Sequence, residues 1–217
     1  MIEPSLIIFD CDGVLVDTER LSNHLLAEIL TESGLPISYA ECRRRFVGKS
    51  MKSVKMEVES ALGRALPADW LAEEGTRTLA VLARETEAVA GVQAQIERLR
   101  HLDIPHCVAS SGSLEKMRTT LGCSGLLPLL EHVLFTADMV ENGKPAPDLF
   151  LHAAAQMGHA PDQCVVIEDS LPGVQAGRAA GMRVLGYAGD PMTDADGLSR
   201  AGAVVFRDMA DLPQLLV

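Results

Sequence analysis

Aromatic side chains are scarce in this 217-residue chain: five Phe, two Tyr and one Trp. Stacking platforms for single-stranded nucleic acid have little to be built from. Positive charge is short as well, with 19 Lys and Arg against 30 Asp and Glu and a net charge of −11. That sign repels a phosphate backbone, so no nucleic-acid partner is expected. Long apolar runs are missing, and the start Met1-Ile2-Glu3-Pro4 has neither the basic residues nor the apolar stretch of a signal peptide. No membrane partner is expected, and the expected location is cytoplasmic. The five cysteines (Cys11, Cys42, Cys107, Cys123, Cys164) are odd in number and show no C-x-x-C spacing. Neither a disulfide framework nor a zinc site is expected. What remains, at 47% hydrophobic and 23% charged residues, is a globular composition, long enough for one domain or two.

Short apolar runs bounded by turn residues recur at Leu6 to Phe9, Cys107 to Ser110, His132 to Thr136, Cys164 to Ile167, Arg183 to Tyr187 and Ala203 to Phe206. They are nearly continuous in hydrophobicity rather than alternating, as strands of a parallel sheet covered on both faces must be. Helical patterns separate most of them, at Gly91 to Leu102, Leu114 to Leu121, Pro147 to Met157, Pro172 to Ala180 and Met209 to Leu216. The fold class expected is α/β, a Rossmann-like parallel sheet. One interval breaks the alternation. Leu21, Leu25, Ile29 and Leu30 share a helical face, Ser38-Tyr39-Ala40-Glu41 has the form of a capping box, and helical periodicity continues through Val54, Val58, Trp70 and Leu82. A small helical domain over 18–87 is therefore expected, inserted into a core formed by 1–17 and 88–217.

Acidic residues crowd the end of the first strand, in Phe9-Asp10-Cys11-Asp12-Gly13. Ligands of open α/β sheets bind outside the carboxyl ends of the strands, so Asp10 and Asp12 stand where function is expected. Two carboxylates this close repel unless a cation, a hydrogen bond or a shared proton relieves them. Val108-Ala109-Ser110-Ser111-Gly112 ends a second strand in hydroxyl and N–H groups suited to an anion, Asn142-Gly143-Lys144-Pro145 presents a loop lysine, and Glu168-Asp169-Ser170 places a second acidic pair at a strand terminus. Carboxylates from two strand ends could hold a hard divalent ion such as Mg²⁺.

With these four pieces in order, the sequence resembles the haloacid dehalogenase superfamily, in particular its phosphatases and the phosphoglucomutase-like group with a helical cap after the first strand. The pattern D-x-D-G-x-x-x-D-[TS], a strand-terminal Ser, Lys-Pro and a strand-terminal acidic pair is met by Asp10 to Thr18, Ser110, Lys144-Pro145 and Glu168-Asp169. The resemblance implies phosphoryl transfer through an aspartyl-phosphate. Asp10 would be the nucleophile and Asp12 the acid and base, with Ser110, the N–H of Ser111 and Lys144 on the phosphoryl oxygens. Asp10, the main-chain carbonyl of Asp12, and Asp169 would hold Mg²⁺, with Glu168 either a direct ligand or one step behind.

The implied function is hydrolysis of a small phosphorylated metabolite: a sugar phosphate, a sugar-acid phosphate or a phosphoglycolate-like compound. Rival readings are a sugar phosphomutase, a phosphonatase using one of Lys49, Lys52 or Lys55, and a binding module without turnover. Ser22 and Met51 stand where the sugar mutases carry a histidine and an arginine, which favours hydrolysis. Substrate selection is expected in the inserted domain, with Gly48, Lys49, Ser50 and Arg77 as candidate contacts. Gly48-Lys49-Ser50 is not a P-loop, since Arg43 occupies the position that needs glycine. Arg43, Arg44 and Arg45 read as a solvated helix face, Gly173 and Gly177 as close helix packing, and the chain as a monomer.

Overall fold

The computed structural model describes residues 4–46, 49 and 51–216. β1 (Leu6–Phe9) is fully buried at all four positions. Four helices follow, α1 (Glu19–Glu32), α2 (Tyr39–Phe46), α3 (Met51–Leu62) and α4 (Trp70–Glu85). Alternation then resumes with α5 (Val92–His101), β2 (His106–Ser110), α6 (Leu114–Cys123), α7 (Leu127–Leu130) and β3 (Leu134–Thr136). The chain continues through α8 (Asp148–Met157), β4 (Cys164–Glu168), α9 (Leu171–Ala179), β5 (Arg183–Tyr187), α10 (Ala195–Arg200), β6 (Val204–Phe206) and α11 (Leu212–Leu215). Among the described residues, six parallel strands form one sheet in the order β3-β2-β1-β4-β5-β6. This is the expected Rossmann-like α/β core, and its order reverses at β1.

The period of two along β1 sorts its side chains between two cores. Ile7 and Phe9 join Val92, Ile96, Met117, Leu121 and Leu212, so α5, α6 and α11 cover one face. Leu6 and Ile8 join Leu149, Phe150, Ala153 and Val174, so α8 and α9 cover the other. Each fully buried Ile or Phe contributes roughly 1.5–3 kcal/mol relative to exposure. Gly177 lets α9 approach the sheet: a Cβ there would lie 2.8 Å from Val184 Cγ2.

Two compact units divide the chain, Met1–Asp17 with Glu87–Val217, and Thr18–Thr86. The second has its own core, in which Leu26, Ile29 and Leu30 meet Cys42, Phe46, Val54, Val58 and Trp70. Ser38 caps α2 by accepting from Glu41 N–H at 3.3 Å. Arg43 departs from the solvated face expected of it. It is 6% exposed, donates to the Tyr39 hydroxyl at 3.0 Å and sits 3.5 Å from Glu19. Arg43 adjoins the buried Cys42 and Phe46 side of α2, so its stem is carried inward, and its charge finds partners there. Among the described residues no helix is long and apolar enough to cross a membrane.

Glu74 in α4 is 9% exposed, and burial raises its pKa above the ordinary 4.5, the Thr78 hydroxyl opposing from 2.8 Å. A carboxyl whose folded pKa is raised favours folding while protonated and loses that contribution as pH rises through the folded value. Glu74→Gln keeps the Thr78 contact and removes the charge. Thermal melts should show it more stable than the parent at pH 7.5, the two curves converging as pH falls below about 4.5. Equal melting temperatures at pH 7.5 would mean that the carboxylate is solvated.

Candidate active site

β1, β2 and β4 are neighbours in the sheet, so their carboxyl ends bring together residues far apart in sequence. Asp10 follows β1 and is tied to the sheet by its N–H to Ile167 O at 2.9 Å. The turn after it is tight: Gly13 N–H reaches Val16 O at 2.8 Å and Leu15 N–H reaches Cys11 O at 2.9 Å, with Cys11, Val14, Leu15 and Val16 buried. Gly13 has φ +81°, and a Cβ on it would lie 1.9 Å from Asp169 Oδ2. Glycine there both permits the turn and admits the Asp169 carboxylate against it.

Lys144, far from solvated, has a side chain only 4% exposed. Its ammonium donates to Asp10 Oδ1 at 2.5 Å, Glu168 Oε1 at 2.8 Å and Ala109 O at 2.9 Å. All three donor directions are used on one strand end each. Burial works to lower the Lys144 pKa, but Asp10 and Glu168 outweigh it and hold the ammonium charged. Glu168 is 1% exposed, and its second oxygen, Oε2, accepts from both the N–H and the hydroxyl of Ser170 at 2.8 Å. Both its oxygens thus accept from protein donors, one of them the Lys144 ammonium. Gly173 makes room for it, since a Cβ there would lie 1.7 Å from Glu168 Oε1.

Burial pushes the Asp10 carboxyl up to about 7, with Lys144 pulling it down and Glu168 and Asp12 pushing it further up. A further cation is what keeps such a group ionised at neutral pH. Ser110, 2% exposed, ends β2 and accepts from Gly112 N–H at 3.0 Å, which leaves its own hydrogen to give to an anion. Ser111 beside it is exposed. Asp12 pairs through Oδ1 with Lys116 Nζ at 2.9 Å, a residue that the sequence reading did not single out. Burial works against the Lys116 charge and Asp12 more than offsets it, so its pKa is raised.

The structure therefore brings Asp10, Asp12, Ser110, Lys144, Glu168 and Asp169 to one end of the sheet. In the helical unit, Lys49 is exposed and bound to Glu57 at 2.6 Å, while the Arg77 guanidinium holds both oxygens of Glu32 at 2.6 and 3.2 Å. Gly48 and Ser50 lie outside the described residues.

No three His, Cys, Asp or Glu side chains gather as a metal cluster among the described residues. Mg²⁺ does not need one: it is held by one or two carboxylates and keeps water and substrate oxygens for the rest. The donors fit that pattern, being all oxygen, with Asp10 at the end of β1 and the Asp169 carboxylate against Gly13.

Comparison with known proteins agrees with this geometry. The model of the haloacid dehalogenase-like hydrolases matches residues 4–181. The 6-phosphogluconate phosphatase of Escherichia coli K12 is 30% identical over 96% of this chain and 93% of its own. Hexitol phosphatase A of the same organism is 41% identical over 82% and 80%. Among solved structures, a conserved haloacid dehalogenase-like protein of unknown function from Agrobacterium tumefaciens superposes with a TM-score of 0.87 at 40% identity, covering 98% and 97% of the two chains.

Proposed function

The chain belongs to the haloacid dehalogenase-like hydrolases, and on that footing we propose that it is a Mg²⁺-dependent phosphatase of a small phosphorylated metabolite, acting through an aspartyl-phosphate on Asp10. The observation that carries this reading is the buried Asp10–Lys144–Glu168 array, a carboxylate aimed out of a strand end with an ammonium fixed behind it. Sugar, polyol and sugar-acid phosphates are the favoured substrates, by analogy with relatives named for 6-phosphogluconate and hexitol phosphates.

In this mechanism Asp10 attacks phosphorus, forming the acyl phosphate as the bond to the leaving oxygen breaks. Asp12 gives that oxygen a proton, then takes one from the water that attacks the acyl phosphate and frees inorganic phosphate and Asp10. The Ser110 hydroxyl and the Ser111 N–H face the charge on the phosphoryl oxygens, and Lys144, its three N–H bonds spent on Asp10, Glu168 and Ala109, adds its positive charge from behind Asp10. Asp10, Asp169 and the main-chain carbonyl of Asp12 would hold Mg²⁺, which supplies positive charge to the same oxygens.

Removal of metal tests this directly. Phosphate release from p-nitrophenyl phosphate after exhaustive chelation should fall at least about 100-fold and return on adding Mg²⁺, since metal stabilisation of transferring charge is worth several kcal/mol. Undiminished turnover in chelator would overturn the reading. Offering a hexose 1-phosphate with a trace of bisphosphate separates hydrolysis, seen as free phosphate, from isomer formation.

A further inference from the structure

Lys116 is unexplained by the fold. It sits in the first turn of α6, where the positive end of the helix dipole disfavours a cation. Its backbone position is nonetheless fixed, because the Ser113 hydroxyl caps the helix by accepting from Lys116 N–H at 3.2 Å. From there its side chain crosses Gly112 to Asp12 Oδ1 at 2.9 Å. Three groups converge on the place a Gly112 Cβ would take: Ser110 Oγ at 3.4 Å, the Lys116 stem at 3.5 Å and Asp12 Oδ2 at 3.6 Å. The pair is also partly open, with side-chain exposures of 33% for Lys116 and 25% for Asp12, so its worth to stability is small.

From this we infer that Lys116 is a positioning residue for Asp12, holding Oδ1 so that Oδ2, on the Gly112 side, is the oxygen that carries the transferred proton. The inference rests on the acid and base role given to Asp12 above. The proton moves from Oδ2 to the leaving oxygen as its bond to phosphorus breaks, and from water to Oδ2 in the second half. Lys116 touches neither reacting oxygen.

The test is the single-turnover rate of enzyme phosphorylation, with Mg²⁺, by p-nitrophenyl, phenyl and benzyl phosphate. A nitrophenolate departs without a proton, whereas a benzyl alkoxide needs one. Lys116→Met should slow the benzyl ester about 30-fold or more and the nitrophenyl ester less than about 3-fold, within the 10²–10⁴ that acid catalysis contributes. Lys116→Arg should restore most of the loss, and Lys116→Met should add little to Asp12→Asn, as coupled residues do. Equal slowing of all three esters, a change in substrate affinity alone, or no change would each overturn the inference; should Lys116→Met not fold, Lys116→Gln carries the same comparison. If Asp12→Asn itself shows no dependence on the leaving group, it is the role of Asp12 that fails. If Asp12→Asn shows it and the Lys116 variants do not, only the positioning role falls.

Discussion

Asp10→Asn should abolish phosphate release, by at least about 10⁴-fold as expected when a covalent nucleophile is removed, with melting temperature and circular dichroism close to the parent. The amide retains an oxygen able to accept from Lys144, so the buried ammonium keeps a full set of acceptors with Glu168 and Ala109. What it loses is the ability to form an acyl phosphate. Activity within tenfold of the parent would remove the covalent mechanism, whatever the geometry suggests. Any failure to fold would show instead that the charge on Asp10 is needed to offset Lys144.

Lys144→Met should be worse for the protein than for any single step. The methionine fills a similar volume beside Phe150, whose ring centroid lies 4.7 Å from the ammonium, but it leaves Asp10 and Glu168 as neighbouring buried carboxylates with no ammonium between them. Breaking a buried pair by removing one partner costs about 3–5 kcal/mol, which for a chain of this size lowers the melting temperature on the order of 10 °C. Turnover should drop about 10²–10³-fold as well, since the positive charge behind Asp10 is lost with the ammonium. Lys144→Met with Glu168→Gln should recover much of the stability and none of the activity. Melting curves and phosphate release on the two variants check both halves. A single variant as stable as the parent would mean that the carboxylates are neutralised by something other than Lys144.

Much of this was legible in the sequence because strand ends are legible. Leu6 to Phe9 and Cys164 to Ile167 are apolar throughout, and the polar residue that follows such a run must emerge at the edge of the sheet, where Asp10 and Glu168 do. Boundaries moved where local chemistry overrode the pattern. His132 and Val133 fall outside β3 because Val133 N–H is spent closing a turn onto Leu130 O. The C-terminal helix expected over Met209 to Leu216 divides at Asp211, since Pro213 lacks an N–H and fits only a first turn. α7 and α10, of four and six residues, are too short for a periodic signal.

Side-chain pairing was the least legible part. Nothing in Ser113-Leu114-Glu115-Lys116 points to Asp12, and only the packing of β2 beside β1 brings the two together. A cation placed against the helix dipole was the available clue, and it is a weak one. Likewise an acidic pair at a strand end does not say which carboxylate turns inward. Glu168 ends β4 on its buried course, while Asp169 is left for the Gly13 turn.

The order β3-β2-β1-β4-β5-β6 puts the three strands that carry Asp10, Ser110 and Glu168 in the middle, with flanking strands to either side. Fraying begins at margins, here the three-residue β3 and β6; β6 opens away from the site, whereas β3 pairs Thr136 with Ser110. Asp10 and Glu168, at the ends of β1 and β4, are therefore expected to keep their places on heating longer than Ser110, whose strand lies next to that margin.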